Sequence, residues 1–179
     1  MNSGYKKYFI LLILIFFSLQ KNIYSEKVEK EYNIKAYFIY NFIKFITWPN
    51  IENSKTFNIA ILGENTEIEA PLKIIASQKT AKDMPIKIDI LSKLENVNNS
   101  YHIIFIPKNN SEKLTKILRI KNESPVLIIS EKKNMISFGV DINFLLLDNA
   151  IRFEINYSSL KKRNIKVNSN LLRLATTVY

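Results

Sequence analysis

Hydrophobic and polar positions change rhythm several times along this chain. Between Ile34 and Ile46 the apolar residues Ile34, Phe38, Ile39, Phe42, Ile43, Phe45 and Ile46 recur at helical spacing. At about 100° per residue they form one wide face, and Tyr37, Tyr40, Asn41 and Lys44 line up on the other. The pattern predicts a helix from about Val28 to Ile46, stopped by Pro49. Lys35 falls inside the apolar arc and is expected to snorkel outward.

Downstream the period shortens. Phe57 to Leu62 reads as a buried strand closing at Gly63, and Pro85 to Leu91 alternates as a strand. Tyr101 to Ile106 is a continuous apolar strand ended by Pro107, and Val126 to Ile129 is another. Met135–Phe138, Asp141–Leu147 and Ala150–Ile155 read as sequential strands, the last two joined by the turn Asp148-Asn149. Between strands, Thr66 and Glu69 have capping-box spacing for a helix running to about Gln78, although Pro71 argues for a start nearer Ala70. Ser111 is expected to cap a basic helix to about Ile120, and Leu160 with Leu171 to Leu174 mark C-terminal helical packing. The order predicts an α/β fold: a single-domain sandwich whose mixed, mostly parallel sheet has helices on both faces, with C-terminal β-hairpins and a helix.

The N-terminal segment sets the expected compartment. Lys6 and Lys7 precede the uncharged run Tyr8 to Gln20, and small Ser25 suits the residue before a cut. An apolar core of about 12 residues fits a secretory signal and is short of the ~20 needed to span a bilayer. A short membrane anchor or an interfacial helix is the alternative. Residues 1–25 are read as a signal peptide and 26–179 as the domain, with a periplasmic product that keeps no stable membrane span. The leader holds Lys6, Lys7 and Lys21 and no acid, so the chain's net charge of +10 becomes +7 after cleavage. Its clearest basic cluster, Lys161, Lys162, Arg163 and Lys166, lacks interleaved aromatics, which argues for a solvated face and against nucleic acid.

Composition removes several chemistries. The chain has no cysteine, which excludes disulfides, thiol catalysis and a lipoprotein anchor. A single histidine, His102, leaves zinc and triad chemistry without their usual ligands and bases, and it is read as a hydrogen-bonded core residue. Three glycines cannot build a phosphate loop. Asp141, Asp148 and Glu154 lie near one hairpin with no nucleophile or base beside them. No enzymatic activity, cofactor or metal is therefore expected.

Two surfaces remain as candidates for a partner. Tyr37, Tyr40, Asn41 and Lys44 would supply rigid aromatic contact area on a polar helix face, unless a second element covers them. Arg152 and Glu154 stand at i, i+2 on one strand and so share a face, with Phe153 and Ile155 turned to the core. They would bind a partner or ligand, or serve only to hold the fold.

Several blocks also resemble a known family. They are Lys35 to Phe45 with Trp48-Pro49, Phe57 to Gly63, Tyr101 to Ile106, Phe138-Gly139 with Ile142-Asn143-Phe144, Arg152 to Asn156, and Asn168 to Leu174. In that order the set resembles the YfiR-like periplasmic regulators. The resemblance implies an α/β sandwich that binds and represses the periplasmic sensor region of an inner-membrane diguanylate cyclase, with consequences for cyclic-di-GMP and biofilm growth. Val140 stands where the family often has a second glycine, and Tyr101 where a cysteine is common. Redox control by disulfide is therefore excluded. A histidine kinase is an alternative partner, and self-association into a homodimer is left open. The competing reading is a periplasmic small-molecule binding protein that feeds a transporter or a sensor kinase.

Overall fold

The computed structural model describes residues 26–64, 66–93, 98, 100–114, 117–118 and 124–179. The leader expected over residues 1–25 lies outside them. Residues 26–45 form helix α1, in agreement with the apolar periodicity. The chain continues through β1 (Ile46–Thr47), β2 (Phe57–Leu62), α2 (Glu69–Gln78), β3 (Thr80–Ala81), β4 (Met84–Leu91), β5 (Ile103–Ile106) and β6 (Leu127–Ser130). It closes with β7 (Ile142–Leu147), β8 (Ala150–Ile155), α3 (Tyr157–Lys162), β9 (Lys166–Val167), α4 (Ser169–Leu174) and β10 (Thr177–Val178).

The main sheet has eight strands in the order β10-β8-β7-β6-β5-β2-β4-β3. It is parallel except at the β7–β8 and β3–β4 hairpins. Tight turns make both hairpins: Lys82 and Asp83 in one, Asp148 and Asn149 in the other, all with positive φ. At Gly63 the chain leaves β2 with φ of 101°, and a Cβ there would strike the Asn110 side-chain amide. A separate antiparallel ribbon, β1 with β9, ties the end of α1 to the C-terminal region through the register Ile46↔Val167.

Two apolar layers cover the sheet, as the mixed α/β prediction requires. On one face α1 and α2 pack over Phe57, Ile59, Phe105, Ile129, Phe144 and Phe153. The centre of that layer is aromatic: the Phe42 ring lies 5.0 Å from Phe153 and 5.9 Å from Phe144. On the other face Leu114, Ile117 and Met135 cover Ala60, Leu62, Ile104 and Ile128.

Local departures from the sequence reading have identifiable causes. Met135–Phe138 is a 3₁₀ turn, not a strand; Asn134 at φ 68° and Gly139 at φ 101° bracket it. The Thr66 capping box does not form, and α2 starts at Glu69 with Ile68 at its cap. Thr66 Oγ1 is buried without a hydrogen-bond partner among the described residues, while Glu69 turns to Lys73 at 2.7 Å. Pro71 sits in the first turn, where its missing N–H costs nothing. Ser111 lies inside a 3₁₀ segment, Lys108–Lys113, and its hydroxyl accepts from the Lys132 ammonium at 2.8 Å; part of the helix it is expected to cap lies outside the described residues. Leu114, Ile117 and Leu118 are helical; residues 115, 116 and 119–123 lie outside the described set.

Lys35 does not snorkel outward. It is only 5% exposed, and its ammonium meets Glu31 at 2.5 Å and Glu131 at 2.6 Å. Glu131 also accepts from the Tyr32 hydroxyl and the Lys108 N–H, each at 3.1 Å. A charge in an apolar arc is tolerated because carboxylates from α1 and from the end of β6 neutralise it. Burial, and after it the charge of Glu131, push the Tyr32 phenol above its ordinary pKa. The basic C-terminal cluster is also only partly a solvated face. Lys161, Lys162 and Lys166 are exposed, but Arg163 donates to the fully buried Asp141 at 2.6 Å and to the Val126 carbonyl.

Candidate partner-binding surface

α1 is buried on one side by its phenylalanines and open on the other. Lys30, Ile34, Tyr37, Asn41 and Lys44 are all exposed and follow one another at alternating spacings of four and three residues. That spacing is a column along the helix axis. Tyr37 is 60% exposed. Tyr40, beside the column, is half-buried; its hydroxyl donates to the Thr80 carbonyl at 3.3 Å. The Lys44 ammonium lies 4.6 Å from the Tyr40 ring centre, a cation–π contact that orients both side chains. No described element covers Tyr37, Asn41 or Lys44.

The column leads into an apolar cleft that sequence reasoning did not find. Ile34, assigned to the buried side by periodicity, is 38% exposed, and Leu146 on the hairpin is 54% exposed. Together with Ala150 and Ile151 they line a concavity of about 490 Å³, with Lys27, Lys30 and Glu31 also on its walls. Its apolar floor adjoins Tyr37, one helical turn beyond Ile34. No signal in the helix alone could reveal it, because the cleft exists only where the β7–β8 hairpin rises beside α1.

Arg152 and Glu154 do share a face, as their spacing requires, but it is not the face that α1 covers. Phe144 and Phe153 meet α1 residue Phe38 at ring distances of 6.1 and 5.6 Å. By alternation Asn143, Leu145, Arg152 and Glu154 point to the opposite side of the sheet. The structure therefore does not bring the tyrosine column and the Arg152/Glu154 pair together. Nor do those two residues share one environment: Arg152 is exposed, and Glu154 is 8% exposed. Glu154 accepts from the Asn143 amide and from the Tyr179 hydroxyl, each at 3.1 Å. The charge of Glu154, then their hydrogen bond, hold the Tyr179 phenol above its ordinary pKa, so it remains a donor.

His102 is a hydrogen-bonded residue of the packing. Its Nδ1 accepts the Asn58 N–H at 3.0 Å, which leaves Nε2 to carry the proton toward Ser54 Oγ at 3.1 Å. Its ring stacks on Phe57 with centres 4.6 Å apart. Burial lowers its pKa, against a smaller opposing effect of the Asn58 hydrogen bond. Trp48 fixes the exit of α1 by donating to the His102 carbonyl at 3.0 Å. Among the described residues no group of three His, Cys, Asp or Glu side chains is placed to hold a metal ion. None of their helices is long and apolar enough to cross a membrane.

Comparison with known proteins agrees with this architecture. No curated protein matches the chain in sequence. Among solved structures it is similar to the ABC domain from Streptococcus pneumonia in complex with L-Trp, at 12% identity and a TM-score of 0.57, covering 78% of this chain and 59% of that one. It is also similar to a conserved domain protein from Vibrio cholerae O1 biovar El Tor strain N16961, at 9% identity and a TM-score of 0.53, covering 72% of this chain and 56% of that one. The chain thus spans less than two thirds of either solved chain, and these likenesses speak to the fold alone. The family comparison reaches further: residues 32–176, from the first turns of α1 to the residue before β10, match the YfiR/HmsC-like family, and the chain belongs to it.

Proposed function

We propose that this protein is a periplasmic, non-enzymatic regulator that binds the periplasmic sensor region of an inner-membrane diguanylate cyclase and holds it inactive. Family membership supports the regulatory class. The observation that carries the contact surface is the open column of α1, in which Tyr37 is 60% exposed on a helix whose other side is core. Exposed aromatics on a rigid helix lose little side-chain freedom on binding and bury large area, which is how interface anchors work. Tyr37, Tyr40, Asn41 and Lys44 form the contact. The apolar cleft at Ile34 and Leu146 receives an apolar side chain of the partner, and the lysines steer its approach. Arg152 lies on the opposite face of the sheet, so one flat partner surface does not reach both. A contact at Arg152 and Glu154 would engage a separate part of the partner or a ligand.

The test is binding of residues 26–179 to the isolated periplasmic region of a candidate diguanylate cyclase, with Tyr37→Ala and Tyr40→Ala alongside. The proposal expects loss of binding by both variants with folding retained. Unchanged affinity in well-folded variants would move the interface away from α1, and the exposed Arg152 face would be the next to examine.

A further inference from the structure

The buried acids of this protein are not treated alike. Glu131 faces the Lys35 ammonium at 2.6 Å and Asp141 faces Arg163 at 2.6 Å. Glu154 is 8% exposed, and among the described residues its partners are neutral: the Asn143 amide and the Tyr179 hydroxyl. Beside it Asn143 is fully buried, with an Oδ1 that has no hydrogen-bond partner among the described residues. Cross-strand register extends the polar row: Ser130 is opposite Asn143, Asn143 opposite Glu154, and Glu154 opposite Thr177. Four polar residues therefore stand side by side across β6, β7, β8 and β10. Ser130, Asn143 and Glu154 are buried and Thr177 is exposed at the end of the row; the buried part holds acceptor capacity, Asn143 Oδ1 above all, that no described donor meets.

A concavity of about 410 Å³ opens at Glu154, lined by Asn134, Ile136, Ser137, Glu154, Asn156 and Tyr179. Among the described residues lining it, Glu154 carries the only charged side chain, and each of its oxygens retains a lone pair beyond the hydrogen bonds already made. Ile136 offers an apolar wall, and the asparagines with Ser137 make the rim polar.

We propose that this concavity binds an organic cation, a primary ammonium or a guanidinium, through the Glu154 carboxylate. The ligand's N–H groups supply the positive donors that the structure gives to Glu131 and Asp141 but not to Glu154. Its carbon portion rests on Ile136 and the Tyr179 ring. Such a group is available from two sources, a free small amine or a lysine or arginine side chain of a bound protein. The site lies on the opposite face of the sheet from α1, so binding here and partner binding at the tyrosine column succeed or fail separately.

Calorimetric titration of the full domain with benzylammonium, with benzyl alcohol as its neutral counterpart, tests the chemistry. An acetylated Ala-Lys-Ala amide peptide tests the protein source. Binding of benzylammonium but not of the alcohol, weakened about tenfold or more by Glu154→Gln, is the expected result, since a charge-assisted contact is lost from a near-isosteric site. Binding of the peptide alone, with the same dependence on Glu154, supports the site and assigns its ligand to a protein side chain. If Glu154→Gln does not fold, Ser137→Trp decides, because Ser137 is exposed and lines the same concavity, and a bulky residue there fills it while leaving the Glu154 carboxylate in place. Absence of binding by both probes, or binding unaffected by either substitution, overturns the proposal.

Discussion

On α1, Phe38 and Phe42 meet Phe144 and Phe153 in the core, while Tyr37, Asn41 and Lys44 on the other side meet no covering element among the described residues. Both sides are rich in aromatic or long side chains, so composition does not separate them. What separates them is phase: one side has been placed where the sheet removes it from water, and the other has been kept available. A helix built in this way lets the fold and the proposed binding surface be altered independently, and that independence can be broken or sharpened by substitution.

The largest effect belongs to the buried side. Phe42→Ala removes a fully buried ring and should cost about 3–5 kcal/mol, read as a large fall in melting temperature or in the denaturant midpoint. A loss below about 1 kcal/mol would mean that the aromatic layer does not hold α1 to the sheet. Lys35→Met comes next. It leaves Glu131, which also faces Tyr32 and the Lys108 N–H, without its cation, and breaking a buried pair from one side costs about 3 kcal/mol or more. Equal stability of the variant would show that the Lys35 charge is dispensable and that the helix is fixed by packing alone.

Much of this contrast was legible in the sequence. The period of Phe38, Phe42 and Phe45 gave the core side, and Tyr37, Asn41 and Lys44 gave the open side. The strands β2, β4, β5, β7 and β8 followed from apolar runs or alternation bounded by Gly63, Pro107 and the Asp148-Asn149 turn. Pattern could not show pairing between distant segments. Lys35 looked like an intruder in the apolar arc because Glu131, its partner, lies 96 positions away. Ile34 looked buried because helical phase does not say where the facing sheet ends. Met135–Phe138 has an apolar composition that suits a strand, but left-handed residues at both ends force a tight turn. Arg152 and Glu154 were correctly placed on one face, yet alternation cannot say that Asn143 and Tyr179 would enclose only the second of them.

A smaller effect concerns the exit of α1, where Trp48 and His102 pack together. Protonating His102 on Nδ1 would break its bond to the Asn58 N–H. Its pKa in the fold lies below the ordinary value, so between that lowered pKa and about 6.5 the unfolded chain binds the proton more readily. Stability is therefore at its full value above about pH 6.5, falls as the pH drops through that window, and levels off below the folded pKa as far as His102 is concerned. Melting curves taken from pH 8 to pH 5 should show this decline, and His102→Asn should flatten it. An unchanged slope in the variant would assign the decline to other groups.

On the open side, Tyr40→Ala loses a hydrogen bond to the Thr80 carbonyl and part of a half-buried ring, and should cost about 1 kcal/mol of stability. Tyr37→Ala should cost within about 0.5 kcal/mol, as for an exposed residue without structural duties. A stability loss at Tyr37 as large as that at Phe42 would erase the difference between the two sides of the helix.

The central claim is that the column led by Tyr37 is a contact surface and not part of the fold. The most direct measurement is the affinity of the Tyr37→Ala domain for the periplasmic region of the proposed cyclase partner, with the melting temperature recorded on the same sample. The account predicts an affinity loss of about 2 kcal/mol, more than tenfold, at an unchanged melting temperature. Unchanged affinity at an unchanged melting temperature would contradict it.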